Sequence, residues 1–213
     1  MVHLRHTFSF NRLTTYRYNN KTMDTLEKIF GGAHRVKLMR LFLFNPTLYF
    51  ETVDVADRSK IDISKTRSEL NFLSKADLIK KSTRGNKTVW YLNDKFPYLA
   101  EFQRLLLDTS LKNSKPILKK IAKIGKLKAV VFSGIFKELP DSTIDILVVA
   151  EGSKKSTADS VMASIEADIG KEIRFAVLDT EDFKYRLGVG DRLIRDVLDY
   201  PHEIVLDRIG LIQ

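Results

Sequence analysis

The chain has 213 residues, 44% of them hydrophobic, with a net charge of +9 and no cysteine. That length holds one large domain or two small ones with real cores; the missing cysteines exclude disulfides and thiolate metal sites, no apolar run reaches the ~18 residues of a membrane helix, and the N-terminus has no secretory pattern, so a cytoplasmic protein without a membrane partner is expected. The charge is uneven, with 19 Lys/Arg against 11 Asp/Glu in residues 1–110, seven lysines and no acid in 111–128, and 10 Lys/Arg against 16 Asp/Glu in 129–213, which points to a polyanion bound towards the front.

Residues 1–22 show no usable period and carry Arg5, Arg12, Arg17 and Lys21. They are either a disordered basic arm that touches phosphates or sequence upstream of a true start at Met23. From His34 to Phe44, Val36, Leu38, Met39, Leu41, Phe42 and Leu43 crowd one broad side of a buried helix, ended by Asn45-Pro46. A second helix is expected over Glu51–Ser59, with Val53, Val55 and Ala56 towards the core. Ser64 is a suitable N-cap for a third helix that ends near Ala76-Asp77. In it Leu70, Phe72 and Leu73 face inward and Lys65, Thr66, Arg67, Ser68 and Asn71 lie outward.

Two strand-like runs follow, Leu78–Thr83 and Lys87–Leu92, around the turn Arg84-Gly85-Asn86. Gly85 supplies the permissive backbone of a tight hairpin. Trp90 is expected in the core and Tyr91 outside. Tyr98–Leu111 has helical spacing and either builds a dimer interface or packs within the monomer. Residues 112–116 form a boundary. The rear then reads helix (117–126), strand (127–133), loop (134–143), strand (144–150), helix (156–169), strand (173–178), helices (180–187 and 191–199) and a short strand (203–206). That alternation indicates an α/β sheet domain.

Helix, turn, helix and a basic hairpin is the order of a winged helix-turn-helix. A helix fits the major groove, where base edges present distinct donor and acceptor patterns. Arg67 can make a bidentate contact to guanine and Asn71 to adenine, while Ser64, Lys65, Thr66 and Ser68 can hold phosphates or base edges. Lys80, Lys81, Arg84, Asn86 and Lys87 put positive charge on the wing, which lies on the backbone or in the minor groove. Asp54, Asp57 and Asp62 near the same face count against this. The lysines of 112–128 form either a solvated helix face or an extension of the phosphate-binding surface.

In the rear half, Ala129–Ser133, Gly134, Thr143, Asp145 and the strand to Val149 resemble the start of the minimal nucleotidyltransferase domain. That family's pattern is a strand, a Gly-Ser pair, a loop, then Ser-Asp-x-Asp on the next strand. The resemblance implies that active members hold nucleotide phosphate at the Gly-Ser turn and divalent metals on the two aspartates plus a third carboxylate. Here Gly-Ser is replaced by Ser133-Gly134, the first aspartate by Thr143, and Arg174 stands where the third carboxylate is expected; only Asp145 remains. A lone carboxylate beside an arginine cannot hold two Mg²⁺ ions. Leu26–Leu38 resembles the opening of prokaryotic ArsR/MarR-like winged-helix regulators, some of which carry such a domain behind them. Glu181–Arg186 with Asp191–Leu198 resembles that group's C-terminal helices.

The expected whole is an α+β chain. It comprises residues 1–22 as arm or miscalled start, 23–111 as a DNA-binding winged helix with trailing helix, and 112–213 as a degenerate nucleotidyltransferase-like domain. The resemblance implies a non-enzymatic transcriptional regulator with no cofactor and no metal site. It implies binding to double-stranded DNA as a homodimer, with a small molecule or protein partner at the C-terminal domain. Two alternatives stay open: an active metal-dependent nucleotidyltransferase of toxin–antitoxin type using Asp145, and a winged-helix protein-interaction module. His3, His6, His34 and His202 have no ligand spacing. Gly188-Val189-Gly190 reads as a plain turn with Asp191 as N-cap.

Overall fold

A computed structural model of the chain describes residues 21–111, 114–139 and 142–211. The arm-or-start question at residues 1–20, and Lys112, lie outside the described residues. The fold is α+β, with two separate sheets. No helix among the described residues is long and apolar enough to cross a membrane.

The front half runs α1 (Lys21–Ile29), α2 (Ala33–Leu43), β1 (Phe50–Glu51), α3 (Thr52–Ser59), α4 (Ile63–Lys75), β2 (Ile79–Arg84), β3 (Lys87–Leu92) and α5 (Leu99–Leu111). The strands form an antiparallel sheet in the order β1-β3-β2. Leu38, Phe42, Val55, Leu70, Leu73 and Trp90 meet in one core. The Trp90 indole N–H donates to Thr52 Oγ1 at 3.1 Å, so its one polar atom is satisfied there. Leu106 brings α5 into the same core, while Leu105 and Leu107 stay exposed. Two expectations fail. Val53 is exposed because α3 buries the stripe of Val55, Ala56 and Ser59 instead, and Phe72 stays half exposed, one residue off the Leu70–Leu73 stripe.

The rear half runs α6 (Ser114–Ile121), β4 (Lys126–Phe132), a 3₁₀ turn (Gly134–Lys137), β5 (Ile146–Glu151), α7 (Lys155–Ile169), β6 (Phe175–Leu178), α8 (Thr180–Gly188), α9 (Arg192–Leu198) and β7 (Glu203–Asp207). The expected boundary at 112–116 is narrower, since Ser114, Lys115 and Pro116 already form the first turn of α6, where a proline loses no helical hydrogen bond. The sheet order is β6-β5-β4-β7, with β5 and β6 parallel and the other pairs antiparallel. Along β5, Ile146, Val148 and Ala150 face α6 and α7, while Leu147 and Val149 face α8 and α9. A strand covered on both faces reads as a continuous apolar run. Asp191 caps α9 as expected, accepting from the Leu193 N–H at 3.0 Å.

The two halves meet where the C-terminal turn of α7 docks on α2. Arg40 Nη1 donates to the Asp168 carbonyl at 2.9 Å. Asn45 Nδ2 donates to the carbonyls of Leu41 and Gly170, each at 2.7 Å. The Asp168 carboxylate pairs with Lys37 at 2.9 Å and Lys120 at 2.5 Å. Arg40 is only 1% exposed. Burial lowers its pKa to about 10 against the opposing pull of Asp168 and Glu27, so it stays cationic at neutral pH. The negative end of the α7 dipole lies against that charge. Gly170 ends α7 at φ +80, and a Cβ there would sit 2.6 Å from the Arg40 carbonyl carbon and the Leu41 nitrogen. Gly170→Ala should therefore lose more than the about 1–2 kcal/mol of a left-handed non-glycine residue. Gly152→Ala, at φ +68 in open space, should lose only that much. Urea unfolding of both variants checks the difference, and equal losses would mean that the docking is not close-packed.

Candidate nucleic-acid interface and the Asp145 motif

Helix α4 begins earlier than expected because Asp62 is its N-cap, not Ser64. The Asp62 carboxylate accepts from the N–H groups of Ser64 at 2.8 Å and Lys65 at 3.3 Å. Thr66 also departs from expectation. It is fully buried, its hydroxyl donates to the Asp62 carbonyl at 2.9 Å, and it offers nothing to a ligand. Ser64, Lys65, Arg67, Ser68 and Asn71 are exposed. Ser64, Arg67, Ser68 and Asn71 follow the i, i+3, i+4, i+7 spacing that makes one helix face.

A buried acid anchors this helix. Glu69 is 3% exposed and takes Arg35 Nε at 2.8 Å and Lys65 Nζ at 3.2 Å. Burial pushes its pKa up, but the hydrogen bonds from Arg35 and Lys65 outweigh that and hold it below the ordinary carboxylate value. The Arg35 guanidinium lies 3.4 Å over the Phe72 ring, which accounts for an aromatic residue left half exposed. Sequence reasoning missed Arg35, Glu69 and Phe72 as a unit; the Lys65/Glu69 spacing of four was the available signal.

In the wing, Arg84 pairs with Lys87 across a two-residue turn, with Gly85 at φ +60 in its first position. Lys81, Arg84, Asn86 and Lys87 are exposed. Lys81 Nζ lies 5.5 Å from the Trp90 ring centroid and the Arg84 guanidinium 3.4 Å from that of Tyr49. Tyr49 in turn packs on Tyr91 at 5.0 Å, an unforeseen platform for a wing cation. Lys87 pairs with Glu51 at 2.5 Å, and its pKa is raised by that contact. Two of the three troublesome acids serve helix starts: Asp62 caps α4, and Asp54 accepts from the Glu51 N–H at 3.0 Å.

The rear motif brings four of its five residues together. Asp145 is fully buried and directly precedes β5. Its carboxylate accepts from the N–H groups of Ile135 at 2.9 Å and Arg174 at 2.8 Å, and from Arg174 Nε at 3.0 Å and Nη2 at 2.9 Å. Those four donors fill a carboxylate's acceptor sites. Gly134, at φ +52, abuts it so closely that a Cβ would overlap the carboxylate oxygen. The Ser133 hydroxyl is buried and donates to the Ile144 carbonyl at 2.7 Å, tying the loop rather than facing a ligand. Thr143 is turned away, and its hydroxyl donates to Asp196 at 2.8 Å. The residues present do not fit a pair of divalent ions. Among the described residues no three His, Asp or Glu side chains converge as metal ligands.

No family model matches the chain, and no curated protein matches it. A solved structure of a double mutant of Lactococcus lactis ZitR in apo form is similar over 47% of this chain and 75% of that one, with 19% identity and a TM-score of 0.33. A likeness that slight leaves the functional reading to this chain's own residues.

Two outcomes follow from the geometry. The folded-state pKa of Glu69 is depressed, so its stabilisation is present above the unfolded value of about 4.3 and lost as pH falls through the folded value. The thermal-stability gap between the wild type and Glu69→Gln should be widest near neutral pH and narrow as pH falls below the ordinary carboxylate range; a gap independent of pH would remove the charged role. Arg174→Met leaves a buried carboxylate with two backbone donors, and should destabilise the chain by about 3 kcal/mol in urea unfolding. A loss within about 0.5 kcal/mol would show the fork to be no more than a surface pair.

Proposed function

We propose that this protein is a sequence-specific DNA-binding regulator of transcription, with residues 23–111 as a winged helix-turn-helix and residues 112–213 as a nucleotidyltransferase-like scaffold without the chemistry. The observation that carries the reading is the exposed polar face of α4, with Arg67 and Asn71 four residues apart and neither engaged in an ion pair or hydrogen bond among the described residues. The side chains that prefer guanine and adenine edges are thus presented together. The wing beside α4 adds Lys81, Arg84 and Lys87, suited to phosphates or a minor groove. The Glu69 anchor supports it further, since it holds the helix from its buried side and leaves the outer side to a ligand.

The non-enzymatic half of the proposal draws on Asp145. A strand order with β4 and β5 antiparallel and β6 parallel to β5, Asp145 leading β5 and Arg174 leading β6, accords with a nucleotidyltransferase-like scaffold. The arginine fork occupies the carboxylate that metal-dependent transfer would need. Two copies on a two-fold site go with this reading, and α5, with Leu105 and Leu107 exposed, is the element suited to join them. Work on the chromosome makes the cytoplasm the site of action.

The test is a titration against a pool of genomic fragments, including the region upstream of the protein's own gene, at two salt concentrations. Tight binding to a few fragments that persists at higher salt is expected. Arg67→Ala/Asn71→Ala should weaken it by at least about 30-fold, two base contacts at about 1–3 kcal/mol each, without lowering Tm. Weak, uniform binding that vanishes with salt would overturn the proposal.

A further inference from the structure

The consecutive elements α6 and β4 meet the end of β7, some eighty residues on, around one groove of about 510 Å³. Helix α6 supplies Lys115 and Lys119, four apart and so on one face. Strand β4 supplies Lys126, and the residue after β7 supplies Arg208, whose backbone N–H donates to the Lys128 carbonyl at 2.8 Å and so holds it beside β4. All four side chains are exposed. Among the described residues none of the four forms an ion pair, and no carboxylate lines the groove. Lys120 of the same helix behaves differently: it is engaged by Asp168 and Ser164 and stands outside the groove. The floor between the cations is apolar, made by Leu118, Leu127 and Leu206.

Four cations lining one groove repel one another, and the acid opposite Lys126 in the sheet, Glu151, is engaged by the Thr180 N–H and hydroxyl. A ligand with several negative charges relieves that repulsion. The leucine floor adds a second requirement, because a bare anion gains nothing from apolar surface. The lining has no aromatic ring, so single-stranded bases have no stacking platform. A duplex would lay only sugar and phosphate on the leucines. A membrane surface calls for protruding apolar residues, and here they form the floor. The volume lies within the range of small-molecule sites.

We propose that this groove binds a small organic polyphosphate, its phosphates on Lys115, Lys119, Lys126 and Arg208 and its carbon body on Leu118, Leu127 and Leu206. The proposal is independent of the DNA-binding reading.

Calorimetric titration of the full chain in metal-free buffer tests it, with ATP, inorganic triphosphate, a short DNA duplex, and vesicles of anionic or neutral phospholipid as probes. Saturable single-site binding of ATP is expected, tighter than that of inorganic triphosphate. Lys119→Ala/Arg208→Ala should weaken ATP binding by at least about tenfold, the loss of about one charge-assisted hydrogen bond, with Tm unchanged. Arg67→Ala/Asn71→Ala should leave ATP binding as it was. Unchanged affinity in the groove variant, or no saturable binding of ATP, would overturn the proposal. Inorganic triphosphate binding as tightly as ATP would overturn it as a site for an organic ligand. Loss of duplex or vesicle binding in the groove variant, without an effect on ATP, would reassign the groove to a nucleic acid or a lipid surface. Failure of the DNA reading would instead appear only in the fragment titration.

Discussion

The C-terminal turn of α7 against α2 is the contact on which the rest of the molecule depends. A helix end leaves carbonyl groups without intrahelical partners. Here the Asp168 and Gly170 carbonyls are met by side chains of the other half, Arg40 and Asn45. The same arginine is nearly inaccessible to water and keeps its charge, so it needs the α7 terminus as much as the terminus needs it. Its Nε and Nη2 find no hydrogen-bond partner among the described residues, so the Nη1 bond to the Asp168 carbonyl carries the hydrogen bonding of this buried cation. Lys37 and Lys120 bring Asp168 into the arrangement from two sides, one from each half. Packing this close transmits displacement rather than absorbing it. Since α2 also packs on α3 and α4, the orientation of the exposed α4 face is tied to the rear sheet through rigid elements.

Several charges of the front half have partners within the fold. Acids sit at helix starts or beneath the surface: Asp62 and Asp54 satisfy N-terminal N–H groups, and Glu69 lies under α4. Arg84 lies over the Tyr49 ring, which restricts a long side chain without neutralising it. A cation fixed in place loses less entropy on meeting a phosphate than a free one. The acids that count against a polyanion face in the sequence are therefore mostly part of the scaffold that orients it.

The element order was largely legible from the chain because its causes are local. The apolar runs of β4 and β5 mark strands covered on both faces, and Gly85 between two basic runs marks the hairpin. Errors arise where two local readings compete or where the partner is distant. Asp62 and Ser64 are both good caps two residues apart, and only the backbone at Asp62 decides between them. Thr66 could have been excluded, since it lies four before Leu70 and seven before Leu73, on the buried stripe. Val53 and Phe72 read as core because they are apolar, yet helical spacing leaves both off the stripe their neighbours bury. No local pattern reveals that Arg35 meets Glu69 34 residues on, or that Arg40 meets Asp168 128 residues on. The rear motif was readable as a resemblance with departures, but the Thr143–Asp196 bond and the inward turn of the Ser133 hydroxyl join residues that no local pattern links.

Gly134, Asp145 and Arg174 form a mutually dependent set, and this constrains what the rear half can do. Gly134 has to lack a side chain because the Asp145 carboxylate fills the space a Cβ would take. Asp145 tolerates complete burial because Arg174 supplies backbone and side-chain donors to it. Arg174 takes its position because its own carbonyl accepts from the N–H groups of Asp145 and Ile146, which bind the start of β6 to the start of β5. A carboxylate at position 174 would place two anions at one site with only backbone donors between them, and a divalent ion would have to displace the Ile135 N–H to reach Asp145. The set is a clasp between two strands, holding the start of β6 to the start of β5 through one buried carboxylate.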